Sequence, residues 1–286
     1  MDFNSLNEYL QKFWTEKKLG KHNTDIANQH GMILLKNLKT EPVELFNVLD
    51  KNKFNFQEFD VIPWSDFLRR SHLSDFLKPE YVDDALQVTT TRPAIGKGEF
   101  LLVSCFANIG FAKSTGDIVD LQGNKKIEVK GLRATISGDG KNYKLMNNSL
   151  ITSLFSIYDS SDTVKYFNRD CAERLEELVK NSSNDNKLIE VFKRLQNVNA
   201  SQESESVAKK FVQIYKTTGT KLFNVIGAMQ LYMYLNGIDY LVMVNQLGFK
   251  CFALDREPMT YLNMILKNKI KLSSWETGTR GMEISI

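Results

Sequence analysis

Cysteine, histidine and proline are all scarce here: three, three and five among 286 residues. Cys105, Cys171 and Cys251 lie far apart in apolar or helix-like surroundings. Such spacing builds no disulfide framework and reads as buried free thiols in a reducing compartment. His22, His30 and His72 have no neighbouring cysteine and no paired spacing, so a zinc site is excluded on pattern. No apolar run approaches the ~18 residues of a membrane-spanning helix. The start, Met1-Asp2-Phe3-Asn4, lacks the basic and apolar regions of a secretory signal. A cytoplasmic location with no membrane partner is the expectation. Charge of one sign is missing too: 37 Lys and Arg face 34 Asp and Glu, a net of +3. That total does not announce a nucleic-acid protein, but local patches decide phosphate binding more than totals do.

What is present is a globular composition, 42% hydrophobic and 25% charged, enough for one large domain or two smaller ones. Residues 1–92 read as a helical N-terminal region. Leu6, Tyr9, Leu10, Phe13 and Trp14 recur at helical spacing, and Glu41-Pro42-Val43-Glu44 reads as a helix start. Val88-Thr89-Thr90-Thr91-Arg92-Pro93 breaks that pattern and marks a soft boundary. Residues 93–286 then form the second region. A half-buried helix is expected from Gly98 to about Ala112, and strands at 117–121 and 126–132, with a third near 143–145. A helical insertion covers about 150–216, followed by an apolar helix from Lys221 to Leu235 closed by Asn236-Gly237. Strands follow at 240–244 and 249–254, and residues 281–286 could add an edge strand. The class is α/β: a mixed central sheet flanked by helices.

One constellation carries chemistry. Successive strand side chains alternate faces, so Glu128 and Lys130 point into the same space while Val129 turns into the core. Asp117 opens the preceding strand after Gly116, a small residue that lets another backbone approach. Glu99 is set in the apolar helix. Asp120 competes with Asp117, but lies three residues along the strand and so on the opposite face. Three carboxylates and one ammonium meeting in space would suit a hard metal ion and an activated water.

This arrangement resembles the PD-(D/E)xK nuclease superfamily, whose signature is an acid opening one strand, Glu-x-Lys or Asp-x-Lys on the next, and often a helical Glu. Here Asp117, Glu128 and Lys130 match the core and Glu99 matches the helical acid; Gly116 stands where proline is usual. The resemblance implies a restriction-endonuclease-like core over about residues 95–255. It implies a Mg2+ ion, with Mn2+ as a substitute, held by Asp117, Glu128, the Val129 carbonyl and Glu99. RecB-like branches carry Gln-x-x-x-Tyr on a later helix, which Gln230 and Tyr234 match. Lys130, whose ordinary pKa is ~10.4, keeps its ammonium form beside carboxylates and serves to orient water and stabilise charge. Lys113, Lys125, Lys126 and Arg133 surround the site as candidate DNA contacts, and Lys267, Lys269 and Lys271 form a second basic cluster. The expected function is metal-dependent hydrolysis of DNA phosphodiester bonds, as an endonuclease of phage or restriction type. The alternative is a DNA-binding or structural module that keeps the nuclease fold without cleaving. A homodimer would let two sites cut opposite strands.

Overall fold

The computed structural model describes residues 3–17, 24–57, 59–88, 96–112, 116–131, 133–136, 148–161, 169–196, 202–244, 247–273 and 282–285. In chain order these form α1 (Phe3–Glu16), α2 (Thr24–Asn37), α3 (Pro42–Leu49), β1 (Phe59–Pro63), α4 (Trp64–Arg70), α5 (Glu80–Leu86) and α6 (Lys97–Cys105). Then come β2 (Ile109–Phe111), β3 (Ile118–Asp120), β4 (Lys126–Gly131), β5 (Arg133–Ile136), α7 (Asn148–Ser156), α8 (Arg169–Lys180) and α9 (Asp185–Leu195). The chain closes with α10 (Gln202–Thr218), α11 (Leu222–Tyr234), β6 (Tyr240–Val244), β7 (Gly248–Ala253), α12 (Pro258–Leu266), β8 (Lys271–Ser273) and β9 (Met282–Ser285).

Two compact units divide these elements. The first takes residues 1–131 and 237–254, the second 132–236 and 255–286. The expected boundary near residue 92 falls inside the first unit, because β1 pairs with β7 and brings the N-terminal region onto the sheet.

The first unit is built on a six-stranded sheet in the order β1-β7-β6-β4-β3-β2. Only β4 and β6 run parallel, so the sheet is mixed. A parallel neighbour needs a long crossover, and here the chain leaves after β4 and returns at β6. β6 opens on half-buried Tyr240 and continues as Leu-Val-Met-Val, all four buried, as a central strand requires. Aromatic residues of the N-terminal helices close over the sheet. Trp14 stacks on Phe100 and Phe111, and Trp64 on Phe249 at 5.1 Å between centroids.

The second unit packs helices around a three-stranded sheet, β5-β9-β8. Glu176 on α8 accepts the Leu222 N–H at 3.0 Å, satisfying a free donor at the start of α11. Gly227 on α11 lies against Leu272 of β8, where a Cβ would collide with the leucine side chain.

Several expectations need correction. The helix expected to reach Ala112 ends at Cys105; Phe106 turns extended and Ile109–Phe111 forms β2. All three β2 residues are buried, and a short apolar run has no period that separates strand from helix. β1 was not expected within the helical N-terminal region. The last strand, β9, is the middle strand of its sheet rather than an edge. The strand expected near 143–145 lies outside the described residues.

Candidate active site

Gly116 begins the site. Its φ of +83° is one that glycine adopts without strain, and a Cβ there would lie 3.1 Å from the Ile127 carbonyl oxygen. Ile118 pairs with Ile127 across the ladder, and the Asp117 N–H also donates to the Ile127 carbonyl at 3.0 Å. Two residues thus oppose one, as in a β-bulge, and the strand bends at Asp117. The β3–β4 pairing goes no further. Val129 therefore meets no strand partner on that side, and its N–H donates to Asp117 Oδ2 at 2.8 Å. Residues of an antiparallel ladder send N–H and C=O the same way, so the Val129 carbonyl opens toward Asp117.

On β4, alternation works as expected. Val129 points down onto Gly98 of α6, where a built Cβ would lie 3.1 Å from its Cγ1. Glu128 and Lys130 share the other face, and Lys130 Nζ contacts Glu128 Oε1 at 2.6 Å. The same ammonium reaches Asp117 Oδ2 at 3.4 Å. Glu128, Lys130 and Asp117 keep only 10%, 20% and 26% of their side-chain surface exposed, so solvent screens this cluster weakly.

Glu99 joins through α6. Gly96 is the N-cap and Glu99 the N3 residue. The Gly96 N–H donates to the Glu99 carboxylate, half of a capping box. A side chain at Gly96 would occupy the space Glu99 Oε1 takes, so the glycine makes room for the acid. Burial first, then the Asp117 charge, push the Glu99 carboxyl up to about 7, while Lys130 pulls it down. Burial also raises Asp117, against the pull of Lys130 and the Val129 N–H. These mutual effects place Glu99, Asp117, Glu128 and Lys130 in one neighbourhood.

Most of the remaining candidates have partners of their own. Asp120 turns away to accept from Asn108 Nδ2 at 3.2 Å and from the Gln122 N–H at 3.1 Å, holding the β3–β4 turn. Gln230 belongs to the second unit; it is buried, and its amide nitrogen donates to the Leu195 carbonyl at 2.9 Å. That bond ties α11 to the end of α9. Lys125 is exposed but leans on Asp239 at 3.3 Å. Lys126, at the head of β4, is held by its backbone N–H on Asp239 Oδ2 at 2.8 Å, two residues before Glu128 on the same face. Arg133 lies on β5 of the second unit, and Lys113 lies outside the described residues.

Three residues at or beside the site were not read from sequence: Gly96, Gly98 and Asp239. The first had a signal, Gly-x-x-Glu at a helix start. Asp239 had none, because its role depends on β6 lying beside β4. Among the described residues no three His, Cys, Asp or Glu side chains already converge as a metal-binding group. The Lys130 ammonium instead sits against both strand carboxylates. Among the described residues no helix is long and apolar enough to cross a membrane.

Neither a family model, nor a curated protein, nor a solved structure matches this chain.

Proposed function

We propose that the chain is a magnesium-dependent nuclease that hydrolyses DNA phosphodiester bonds at the Asp117–Glu128–Lys130 cluster. One observation carries the reading: Asp117, just before β3, and Glu128 on β4 contact a single ammonium, with a third carboxylate, Glu99, raised to about 7 by burial and Asp117. Carboxylates forced together out of water, with Glu99 and Asp117 raised by burial and then by neighbouring acids, favour a cation among them. A hard divalent ion with oxygen ligands fits that donor set, and Asp117, Glu128, the Val129 carbonyl and Glu99 would hold it. When bound, the ion supplies positive charge at the phosphate and lowers the pKa of water.

The protein's own groups divide the remaining work. Asp117 is locked to the Val129 N–H, so its second oxygen is aimed by the backbone. Glu128 and Lys130 stand side by side on a strand buried in the sheet, which fixes both to the same rigid support. Lys130 supplies charge beside the developing phosphate oxyanion and orients the attacking water. Lys126, on the same face at the strand's start, extends that positive track toward the DNA backbone.

Supercoiled plasmid incubated with magnesium tests the reading. Nicking is expected, with loss in EDTA, recovery in manganese, and a drop of at least ~100-fold in Lys130→Ala and Asp117→Ala. A folded protein that nicks nothing under these conditions overturns the enzyme.

A second reading has its own observation. Lys130 already ion-pairs with both Asp117 and Glu128, and such an ion-paired cluster also suits a module that binds DNA without cutting it. DNA retention with no metal-dependent nicking, unchanged in Asp117→Ala, assigns the chain to that module.

A further inference from the structure

The first unit holds a cavity of about 250 Å³ beside the irregular segment 52–57, lined by Phe54, Phe67, Phe106 and Phe249. The rings meet edge to face: Phe54 on Phe106 at 4.9 Å, Phe67 on Phe106 at 5.2 Å and Phe67 on Phe249 at 5.1 Å. Phe54 does not swing freely. Asn108 accepts its N–H at 2.8 Å and donates to its carbonyl at 2.9 Å, gripping the backbone as a strand partner would. Asn52 adds a third tie, donating to the Cys105 carbonyl at 2.9 Å. The aromatic wall is therefore formed before any ligand arrives.

The rim has different chemistry. Asn55 and Gln57 line it with exposed carboxamides, each offering donors and an acceptor. Lys53 and Arg70 line it with exposed cations. Among the described residues Lys53 makes no ion pair, and Arg70 has only a long contact of 3.9 Å with Asp66. At about 250 Å³ the space is smaller than the ~300–1,000 Å³ of pockets for drug-sized ligands, so its occupant is a single ring system. An aromatic-lined recess, a hydrogen-bonding edge and neighbouring positive charge match a nucleobase and its phosphate better than an aliphatic group, which would leave the amides and cations unused.

We propose that this cavity takes one unstacked nucleobase from a single-stranded or locally opened DNA segment. The base lies against Phe54, the half-buried ring of that wall, its edge meets Asn55 and Gln57, and the adjoining phosphate meets Arg70 and Lys53. The proposal rests on the preceding functional reading for the polymer alone, since nothing in the cavity depends on cleavage.

Binding in EDTA tests it without catalysis. The probes are a short fluorescent oligothymidylate and an abasic deoxyribose-phosphate strand of equal length and charge. Wild type is expected to hold the base-bearing strand about tenfold more tightly. The double variant Asn55→Ala/Gln57→Ala, altered only at exposed side chains, narrows that gap. Arg70→Gln weakens both strands alike and reduces the salt slope by about 0.7. Equal affinity of wild type for the two strands, or a gap that survives the double variant, overturns the proposal. Base-dependent binding without metal-dependent nicking retires the nuclease reading alone; nicking with no preference for the base-bearing strand retires the base pocket alone.

Discussion

Glu99 ties the candidate chemistry to pH. Its carboxyl ordinarily titrates at 4.5 and is raised to about 7 in the fold, by burial first and by Asp117 second. Between those values the folded protein binds more protons than the unfolded chain, so stability falls as pH rises from 4.5 through about 7. Asp117 shifts in the same direction. Glu99→Gln removes the Glu99 share. In urea unfolding with EDTA, wild type is expected to lose on the order of 2 kcal/mol relative to that variant between pH 5 and pH 8. A difference that does not change with pH would contradict a buried, raised carboxyl. Magnesium should reverse the trend, raising the melting temperature of wild type more at pH 8 than at pH 5.5, because carboxylates bind the ion only after losing their protons. Much of this cluster was legible in the sequence. Alternation alone set Glu128 beside Lys130, and Gly116 marked where the chain bends to deliver Asp117. The capping role of Glu99 was legible in principle from Gly96, three residues before it. The bond from Gln230 to the Leu195 carbonyl was not legible, because a glutamine on an apolar helix looks the same from sequence whether it faces a substrate or a neighbouring helix end.

The helix α6 owes its height above the sheet to one small residue. A Cβ at Gly98 would lie 2.7 Å from Val244 Cγ2 and 3.1 Å from Val129 Cγ1, both branched side chains on central strands. Neither can swing away in a packed layer. Gly98→Ala is expected to destabilise the protein by about 1–3 kcal/mol in thermal or urea unfolding. Helix propensity pulls the other way by up to ~1 kcal/mol, so a net gain in stability would show that α6 does not rest on β4 as described. The variant also lifts Glu99 from its neighbours, and metal-dependent nicking should fall with it. Pairings of this kind explain which elements the sequence revealed. β6 and β7 were legible nearly to the residue, because each is a short β-branched or aromatic run bounded by turn residues. β2 was absorbed into the preceding helix, since Ile109-Gly110-Phe111 is buried throughout and shows no alternation. β1 carries Pro63 at its end and sits at the sheet's edge, where proline is tolerated but argues against a strand when read alone.

The division into units follows from the one parallel pair. β4 and β6 are neighbours with Gly131 facing Val244, yet everything from Leu132 to Asn236 intervenes. The sheet therefore closes only after the chain has built most of a second unit and come back. The N-terminal region is equally bound into the first unit. Leu45, Leu73, Ala85 and Tyr81 are buried to within 1% of complete, and Trp14 and His30 pack their rings on Phe100. β1 supplies the last strand, pairing Ile62 with Phe249. Sequence composition hid this, because a helical stretch followed by Thr- and Pro-containing chain looks like an independent module. A chain beginning at residue 93 would expose the faces of α6 that Trp14 and His30 cover and leave β7 paired on one side only, with β6. Each large buried side chain lost from such a core costs ~2–5 kcal/mol, and a typical domain has only ~5–15 kcal/mol in total. Residues 93–286 alone are thus expected to show no cooperative unfolding of the six-stranded sheet by circular dichroism, and no metal-dependent nicking. Adding residues 1–92 as a separate chain should restore both in part, because the lost contacts are noncovalent. A truncated protein that melts cooperatively with wild-type sheet content would establish the N-terminal region as a separable domain and remove it from the core of the first unit.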